Sequence, residues 1–296
     1  MTEGQLLSLA QQVVSGLSAG SIYALLALAL VLIYQSTDVV NFAQGEMAMF
    51  TTFIAYTLLT WYGVPFLPAV ALTLVFAFLL GYLVERVVVR PVEEAPVLSV
   101  VIVTLGLYSI FNSVAGWVWG YVPKGFPSPI SGGTVWFLGL TVGLLDLWIL
   151  GCGLVIMVLL HLFLRRTTLG TAMRAVAHNR TAARLVGIPV GRMLSLGWGF
   201  SAMLGAIAGM LAAPKIFLEP NMMAGVLLYA FAGAVLGGLS SPFGAIAGGL
   251  LVGVIENLLG ALVATELKSG LAFFMILAVL VVRPQGLFGT VHRRKV

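Results

Sequence analysis

Residues Gly16–Tyr34 read GLSAGSIYALLALALVLIY and carry no charged side chain. The apolar run around them, from Val13 to Tyr34, contains eleven Leu, Ile and Val residues, which together favour membrane insertion by roughly 5 kcal/mol. A bilayer core about 30 Å thick needs roughly 20 helical residues per crossing. This run therefore predicts a transmembrane helix.

The remainder of the chain has the same character. Of the 296 residues, 60% are hydrophobic and 8% are charged, whereas a soluble domain averages roughly 25% charged residues. Seven further apolar runs follow at about 47–62, 64–84, 97–119, 147–164, 193–213, 222–239 and 243–264, and a shorter one lies at 269–282. We expect an all-α polytopic membrane protein with eight or nine transmembrane helices in one domain over residues 1–296.

Several enzyme classes can be set aside. The sequence has no Gly-Lys dipeptide, so it has no P-loop for ATP, and its three histidines (His161, His178 and His292) lack ligand spacing for zinc. We expect no metal site and no catalytic residue. Gly16–Gly20 does match G-x-S-x-G, so an intramembrane hydrolase built on Ser18 is the enzyme alternative, although this motif begins an apolar helix instead of a strand-to-helix turn.

Glycine spacing indicates how the helices meet. G-x-x-x-G occurs eight times, including Gly16/Gly20 and Gly249/Gly253, and this spacing allows close backbone contact between membrane helices. The acidic Glu256 shares a helix face with Gly249 and Gly253, so it should point toward protein. Two interpretations follow: a structural hydrogen bond to a neighbouring helix, or a role in gating or in lining a translocation pathway.

A second polar break joins the first two apolar runs. Its polar or flexible residues are Asp38, Asn41, Gln44, Gly45 and Glu46. The break is either a turn at the membrane surface or a broken, re-entrant helix whose polar groups line the pathway. A similar small-residue break at Gly237–Gly244 suggests an inverted repeat, because paired interruptions are typical of such transporters.

The longest polar segment, residues 165–192, contains six arginines. Within it, Leu169, Met173, Val176 and Ala177 fall on one helical face, while Gly187 and Pro189 terminate a second short helix. Twelve of the fifteen basic residues lie in this segment, at Arg86 and Arg90, or from Arg283 onward, which predicts that all three regions are cytoplasmic. Two short amphipathic helices on that side could bind anionic lipid or fit a groove on a partner protein.

These segments together resemble the permease subunit of branched-chain amino acid ABC importers, the LivH-like, hydrophobic amino acid uptake family. The matching pieces are GLSAGSIYALLALALVLIY, VNFAQGE at 40–46, GTAMRAVAHNRTAARLVGI at 170–188 and RPQGLFG at 283–289. In the second piece Gln44 stands where the family usually has histidine. The resemblance implies an all-helical permease in a bacterial or archaeal cytoplasmic membrane.

The resemblance also implies partners and roles. We expect a homologous second permease, two P-loop ATPase subunits that bind ATP, and an extracytoplasmic solute-binding protein, with no cofactor in this chain and no nucleic-acid partner. The 165–192 loop would couple to the ATPases, through Gly170, Met173, Arg174, Ala177, Asn179, Ala182, Ala183, Arg184 and Gly187. The pathway or its gate would use Asn41, Gln44, Gly45, Glu46 and Glu256.

The substrate expected from the resemblance is a branched-chain or other small hydrophobic amino acid. Few charged side chains are available to replace the hydration shell of an ion, which agrees with a zwitterionic solute. Urea and short amides are alternatives, as is an ATP-independent channel or secondary transporter.

Overall fold

The computed structural model describes residues 3–93, 95–130, 132–137, 140–262 and 268–289. All nine apolar runs form helices there. The helices are α1 (Glu3–Thr37), α2 (Gln44–Thr60), α3 (Phe66–Val84), α4 (Val97–Trp119), α5 (Leu144–Arg166), α6 (Thr168–His178), α7 (Arg180–Leu185), α8 (Val190–Ile216), α9 (Met222–Gly237), α10 (Pro242–Leu262) and α11 (Lys268–Val282). A π-helix at Glu85–Val89 and a 3₁₀ turn at Arg90–Val92 continue α3. The basic residues 293–295 lie outside the described part of the chain.

Six of these helices are long and apolar enough to cross a membrane: α1, α3, α4, α5, α8 and α10. The other three apolar helices, α2, α9 and α11, have 17, 16 and 15 residues. At about 1.5 Å per residue each is shorter than the roughly 30 Å bilayer core. The chain is a multi-pass membrane protein, and the count of eight or nine crossings stays a prediction.

The all-α expectation needs one correction. Thr134–Phe137 (β1) pairs antiparallel with Leu140–Gly143 (β2), so the segment before α5 is a short hairpin. Its residues are mainly β-branched or aromatic, which suits a strand. Hydropathy alone misses this hairpin because each strand has only four residues.

The chain divides into two compact units. The first comprises residues 1–31, 128–155 and 225–296. In it α10 packs against α1 and α9 through glycines: a Cβ added at Gly253 would lie 2.3 Å from the Cα of Gly20, and one at Gly249 would lie 2.4 Å from the Cα of Ala24. Gly233 of α9 would similarly meet Gly249 at 2.7 Å. These glycine pairs are the close helix contacts that the spacing predicts.

The second unit comprises residues 32–127 and 156–224. Here α2 contacts α3, α4 and α8, and its apolar core includes Met47, Phe111 and the fully buried Trp198. The first turn of α2 lies beside Ser201 of α8, eleven residues into that helix. At about 1.5 Å per residue, α2 therefore begins some 16 Å along α8 from its first residue.

Candidate functional site

In the polar break before α2, Asn41, Gln44, Gly45 and Glu46 are buried, whereas Asp38 is exposed. Asn41, Gln44 and Glu46 are 1%, 0% and 1% exposed. The Asn41 side chain accepts a hydrogen bond from the Ala43 amide (3.0 Å) and donates to Gln44 Oε1 (3.3 Å). Gln44 Nε2 donates to the carbonyl of Ser201 (3.1 Å), and the Ser201 hydroxyl donates back to Gln44 Oε1 (3.1 Å). Gln44 thus fastens the start of α2 to the middle of α8.

Glu46 reaches a different partner. Asn112 of α4 donates from Nδ2 to Glu46 Oε2 (3.3 Å), to the Pro220 carbonyl (3.1 Å) and to Asn221 Oδ1 (3.1 Å). The Tyr108 side chain also hydrogen-bonds to Glu46. Asn221 is exposed and Asn112 is half-buried, so this cluster extends from the interior to the surface of its unit.

Glu256 lies in the other unit and is 7% exposed. The Tyr23 hydroxyl of α1 donates to Glu256 Oε2 at 2.7 Å, and the Tyr23 ring stacks on Tyr229 of α9 with centroids 5.1 Å apart. The predicted orientation of Glu256 toward protein is confirmed. Its hydrogen bond to a neighbouring helix is the contact that the structural interpretation expects, and a role in gating stays a prediction.

The two short helices predicted within 165–192 are present as α6 and α7, here called the elbow (residues 168–185). The Thr167 hydroxyl accepts from the Gly170 amide (3.0 Å) and Asn179 Oδ1 accepts from the Ala182 amide (2.9 Å), so a side chain caps each helix. Gly187 ends α7 with φ +82°, a left-handed conformation that favours glycine.

The apolar face of the elbow packs inside its own chain. Met173, Val176 and Ala183 are buried against Val190 and Met193 of α8. Gly170 is also buried. A Cβ added at this position would lie only 2.5 Å from the Phe163 carbonyl oxygen. Leu169, expected on that face, is 45% exposed.

The outer surface of the elbow, in contrast, carries mostly polar or small residues. Arg174, Asn179, Ala182, Arg184 and Gly187 are exposed, and Ala177 is half-buried. Sequence reasoning missed the neighbouring Leu185 and Val186, which are 84% and 76% exposed. The sequence signal that could have revealed these two exposed residues is that both are apolar and directly follow Arg184.

Sequence reasoning also missed a pair of arginine contacts. Arg180 pairs with Glu93 and donates to the carbonyl of Ser36 at the end of α1. Arg180 therefore ties the elbow both to the loop before α4 and to the last turn of α1. Charge counting uses Arg180 only to assign the loop to the cytoplasm, so it gives no indication of these partners.

Arg90 forms the other arginine network. The i→i+5 geometry of the π-helix places Arg90 over Glu85, and the guanidinium donates to both carboxylate oxygens (3.2 and 2.9 Å). Arg90 also donates to the Gly191 carbonyl (2.5 Å) and to the Ser195 hydroxyl (2.6 Å) of α8, and Ser195 donates to Glu85. Glu85 is only 2% exposed, so this network joins α3 to α8 through a buried charge.

Apolar helices long enough to cross a bilayer, with polar groups paired between them, define a multi-pass membrane protein. Comparison with known proteins refines this class. The sequence profile of the family described as "Branched-chain amino acid transport system / permease component" matches residues 12–280. The chain belongs to this family of transport permeases.

Individual relatives agree over the whole length. The chain is 32% identical to the high-affinity branched-chain amino acid transport system permease protein BraD of Pseudomonas aeruginosa, with 97% of each chain covered. It is 31% identical to the corresponding LivH of Escherichia coli, with 99% of each covered. PsaBC from Streptococcus pneumoniae, solved with a Fab, matches in fold (TM-score 0.50, 11% identity, 93% of this chain and 92% of that chain).

Proposed function

We propose that this chain is the membrane-spanning permease subunit of an ATP-driven importer for branched-chain or other small hydrophobic amino acids, in a bacterial or archaeal cytoplasmic membrane. The observation that carries the proposal is the full-length match to BraD and LivH, whose names give that transport system. A homologous permease, two ATPase subunits that bind ATP and an extracytoplasmic binding protein would complete the transporter. This chain would perform no covalent chemistry.

In this proposal the elbow receives the movement of the ATPases. Its inner face is fixed on α8 by Met173, Val176 and Ala183, and Arg180 fixes it to the end of α1. Gly170, Met173 and Ala183 would act by seating the elbow, because they are buried within the chain. Arg174, Asn179, Ala182, Arg184 and Gly187 would face the ATPase, with Leu185 and Val186 as apolar anchors.

Reversing charge on the exposed face tests this docking. We expect the double variant Arg174→Glu with Arg184→Glu to lower ATPase co-purification at least tenfold while the permease still inserts, because both side chains are exposed and support no core contact. The measurement is the molar ratio of ATPase to permease after affinity purification in detergent.

The matched control is Arg86→Glu with Arg283→Glu, which makes the same charge change at two exposed arginines outside the 165–192 loop. It should retain most of the ATPase. Normal co-purification of the elbow variant, or equal loss in the control, would contradict docking through this face.

Reconstitution tests the function itself. The chain should be placed in proteoliposomes with a second permease, ATPase subunits and a binding protein from the same organism, and the uptake of leucine, urea and acetamide compared. Leucine uptake that requires ATP and all subunits is expected. Uptake by this chain alone without ATP would instead establish a channel or secondary transporter, and preference for urea or acetamide would overturn the amino acid assignment.

A further inference from the structure

The side chain of Arg180 joins three parts of the second unit that are distant in sequence. Arg180 is the first residue of α7, between the two helices of the elbow. Its Nη1 pairs with Oε1 of Glu93, 87 positions away in the chain (2.5 Å), and its Nη2 donates to the carbonyl of Ser36, 144 positions away. The guanidinium therefore connects the elbow to the loop before α4 and to the end of α1.

Both acceptors gain from a cationic donor. Ser36 lies in the last turn of α1, where backbone carbonyls have no partner within their own helix. A guanidinium there satisfies the carbonyl and interacts favourably with the negative end of the helix dipole. The Glu93 side chain is 22% exposed, so its charge is screened less than that of a fully exposed carboxylate. The two contacts of Arg180 are thus attractive by charge as well as by hydrogen bonding.

The segment that carries Glu93 is also bound to α8. Residues 85–93 continue α3 as a π-helix and a 3₁₀ turn, and α4 begins four residues after Glu93. Arg90 of this segment donates to the carbonyl of Gly191 and to the hydroxyl of Ser195 in the first turns of α8. The elbow packs on those same turns. The segment is therefore attached to the elbow at Glu93 and to the helix that supports the elbow at Arg90.

We propose that Arg180 is a positioning residue for transport, which passes movement of the elbow to α1 through Ser36 and to α4 through Glu93. The apolar contacts of the elbow are with α5 and α8, the helices that flank it in the chain, whereas Arg180 reaches more distant segments. Arginine suits this role because its planar fork can donate to two acceptors at once. This inference rests on the proposed function and names how movement would leave the elbow.

Transport relative to ATP hydrolysis tests the inference. In proteoliposomes that hold the complete importer, Arg180→Ala should lower leucine uptake at least tenfold, while ATPase co-purification and ATP hydrolysis stay within about twofold of wild type. ATP hydrolysis should persist because the exposed face of the elbow is unchanged. Arg192→Ala is the matched control, since Arg192 is an exposed arginine of the same loop whose side chain makes no hydrogen bond or ion pair within the described ranges. It should change none of these quantities.

Variants of the ion pair provide a test that does not depend on Arg180→Ala alone. Glu93→Gln removes the charge from the partner and should lower leucine uptake at least threefold at unchanged ATP hydrolysis. Arg180→Glu should be as impaired as Arg180→Ala, and adding Glu93→Arg should raise its uptake at least threefold, because the pair re-forms with its charges exchanged. Uptake should stay below wild type, since the donor to Ser36 is still missing. Absence of any recovery would overturn the route through Glu93 and with it the inference.

Maleimide labelling follows the movement itself. In a Cys152→Ala background, Val97→Cys places the one thiol of this chain at the first residue of α4, which is 62% exposed. Trapping the ATPases with ATP and vanadate should change the labelling rate at least threefold in the complete importer. The change should fall below about 1.5-fold when Arg180→Ala is added.

The outcomes are distinguishable. If uptake and ATP hydrolysis fall in proportion, or if the labelling of Val97→Cys responds equally with and without Arg180, the role of Arg180 is structural only and this inference is wrong, whereas the proposed function stands. If labelling in the importer with Arg180 intact does not respond to ATP and vanadate, movement does not reach α4 and the inference is also wrong. If the wild-type importer takes up no leucine, the proposed function itself fails.

Discussion

Replacing Arg90 with alanine is expected to destabilise the permease by on the order of 3 kcal/mol, because it leaves Glu85 as an unpaired buried carboxylate. The same change removes the hydrogen bonds from Arg90 to Gly191 and Ser195, which join α3 to α8. The measurement is the thermal unfolding of the purified permease, followed by the fraction that remains monodisperse after heating.

Two further variants make this prediction specific. Arg86→Ala removes an exposed arginine four positions earlier, whose described contact is with the Tyr82 hydroxyl (3.4 Å), and should change stability by less than about 0.5 kcal/mol. Adding Glu85→Gln to Arg90→Ala removes the unpaired charge and should restore much of the loss. Equal stability of Arg86→Ala and Arg90→Ala would refute the role given to the buried pair.

Gly253→Ala is expected to have a comparable effect through packing alone. The added Cβ would lie 2.3 Å from both the Cα and the amide nitrogen of Gly20 and 2.5 Å from the carbonyl oxygen of Gly16. Backbone atoms of α1 cannot move aside as a flexible side chain can, so the helices must separate, at a cost of about 3 kcal/mol. The yield of folded permease and its melting temperature should both fall.

Gly106→Ala is the matched control, since Gly106 also lies within a long apolar helix but has no atom within 4 Å of an added Cβ. It should be neutral or stabilise the protein by up to about 1 kcal/mol through helix propensity. If Gly253→Ala were as stable as this control, close glycine contact between α1 and α10 would not be what stabilises their packing.

The apolar runs locate the helices well. The run at 97–119 coincides with α4, and the run at 147–164 lies within α5. Hydropathy succeeds here because burying backbone polar groups in a bilayer requires intrasegment hydrogen bonds, so an apolar run of this length has few alternatives to a helix. The elbow helices follow equally from local signals, namely the helical spacing of Met173, Val176 and Ala177 and the termination at Gly187 and Pro189.

The start of α2 has hydrogen bonds that hydropathy and local patterns do not predict. The apolar run begins at Met47, whereas the helix begins at Gln44. The polar side chains of Gln44 and Glu46 end the run by composition, yet Ser201 of α8 and Asn112 of α4 supply their hydrogen bonds. Those partners lie 157 and 66 residues away, so no local pattern reveals them.

The sequence by itself determined the class of protein, the helical segments, the glycine contacts and the family, because each depends on composition or on short spacing. Tertiary structure alone decided which face of the elbow is buried, that Glu85 pairs with Arg90, and that Glu46 hydrogen-bonds to Asn112 of α4. The reason is physical: the free energy of a buried polar group depends on partners that the fold brings from distant positions, whereas insertion of an apolar helix depends chiefly on its own residues.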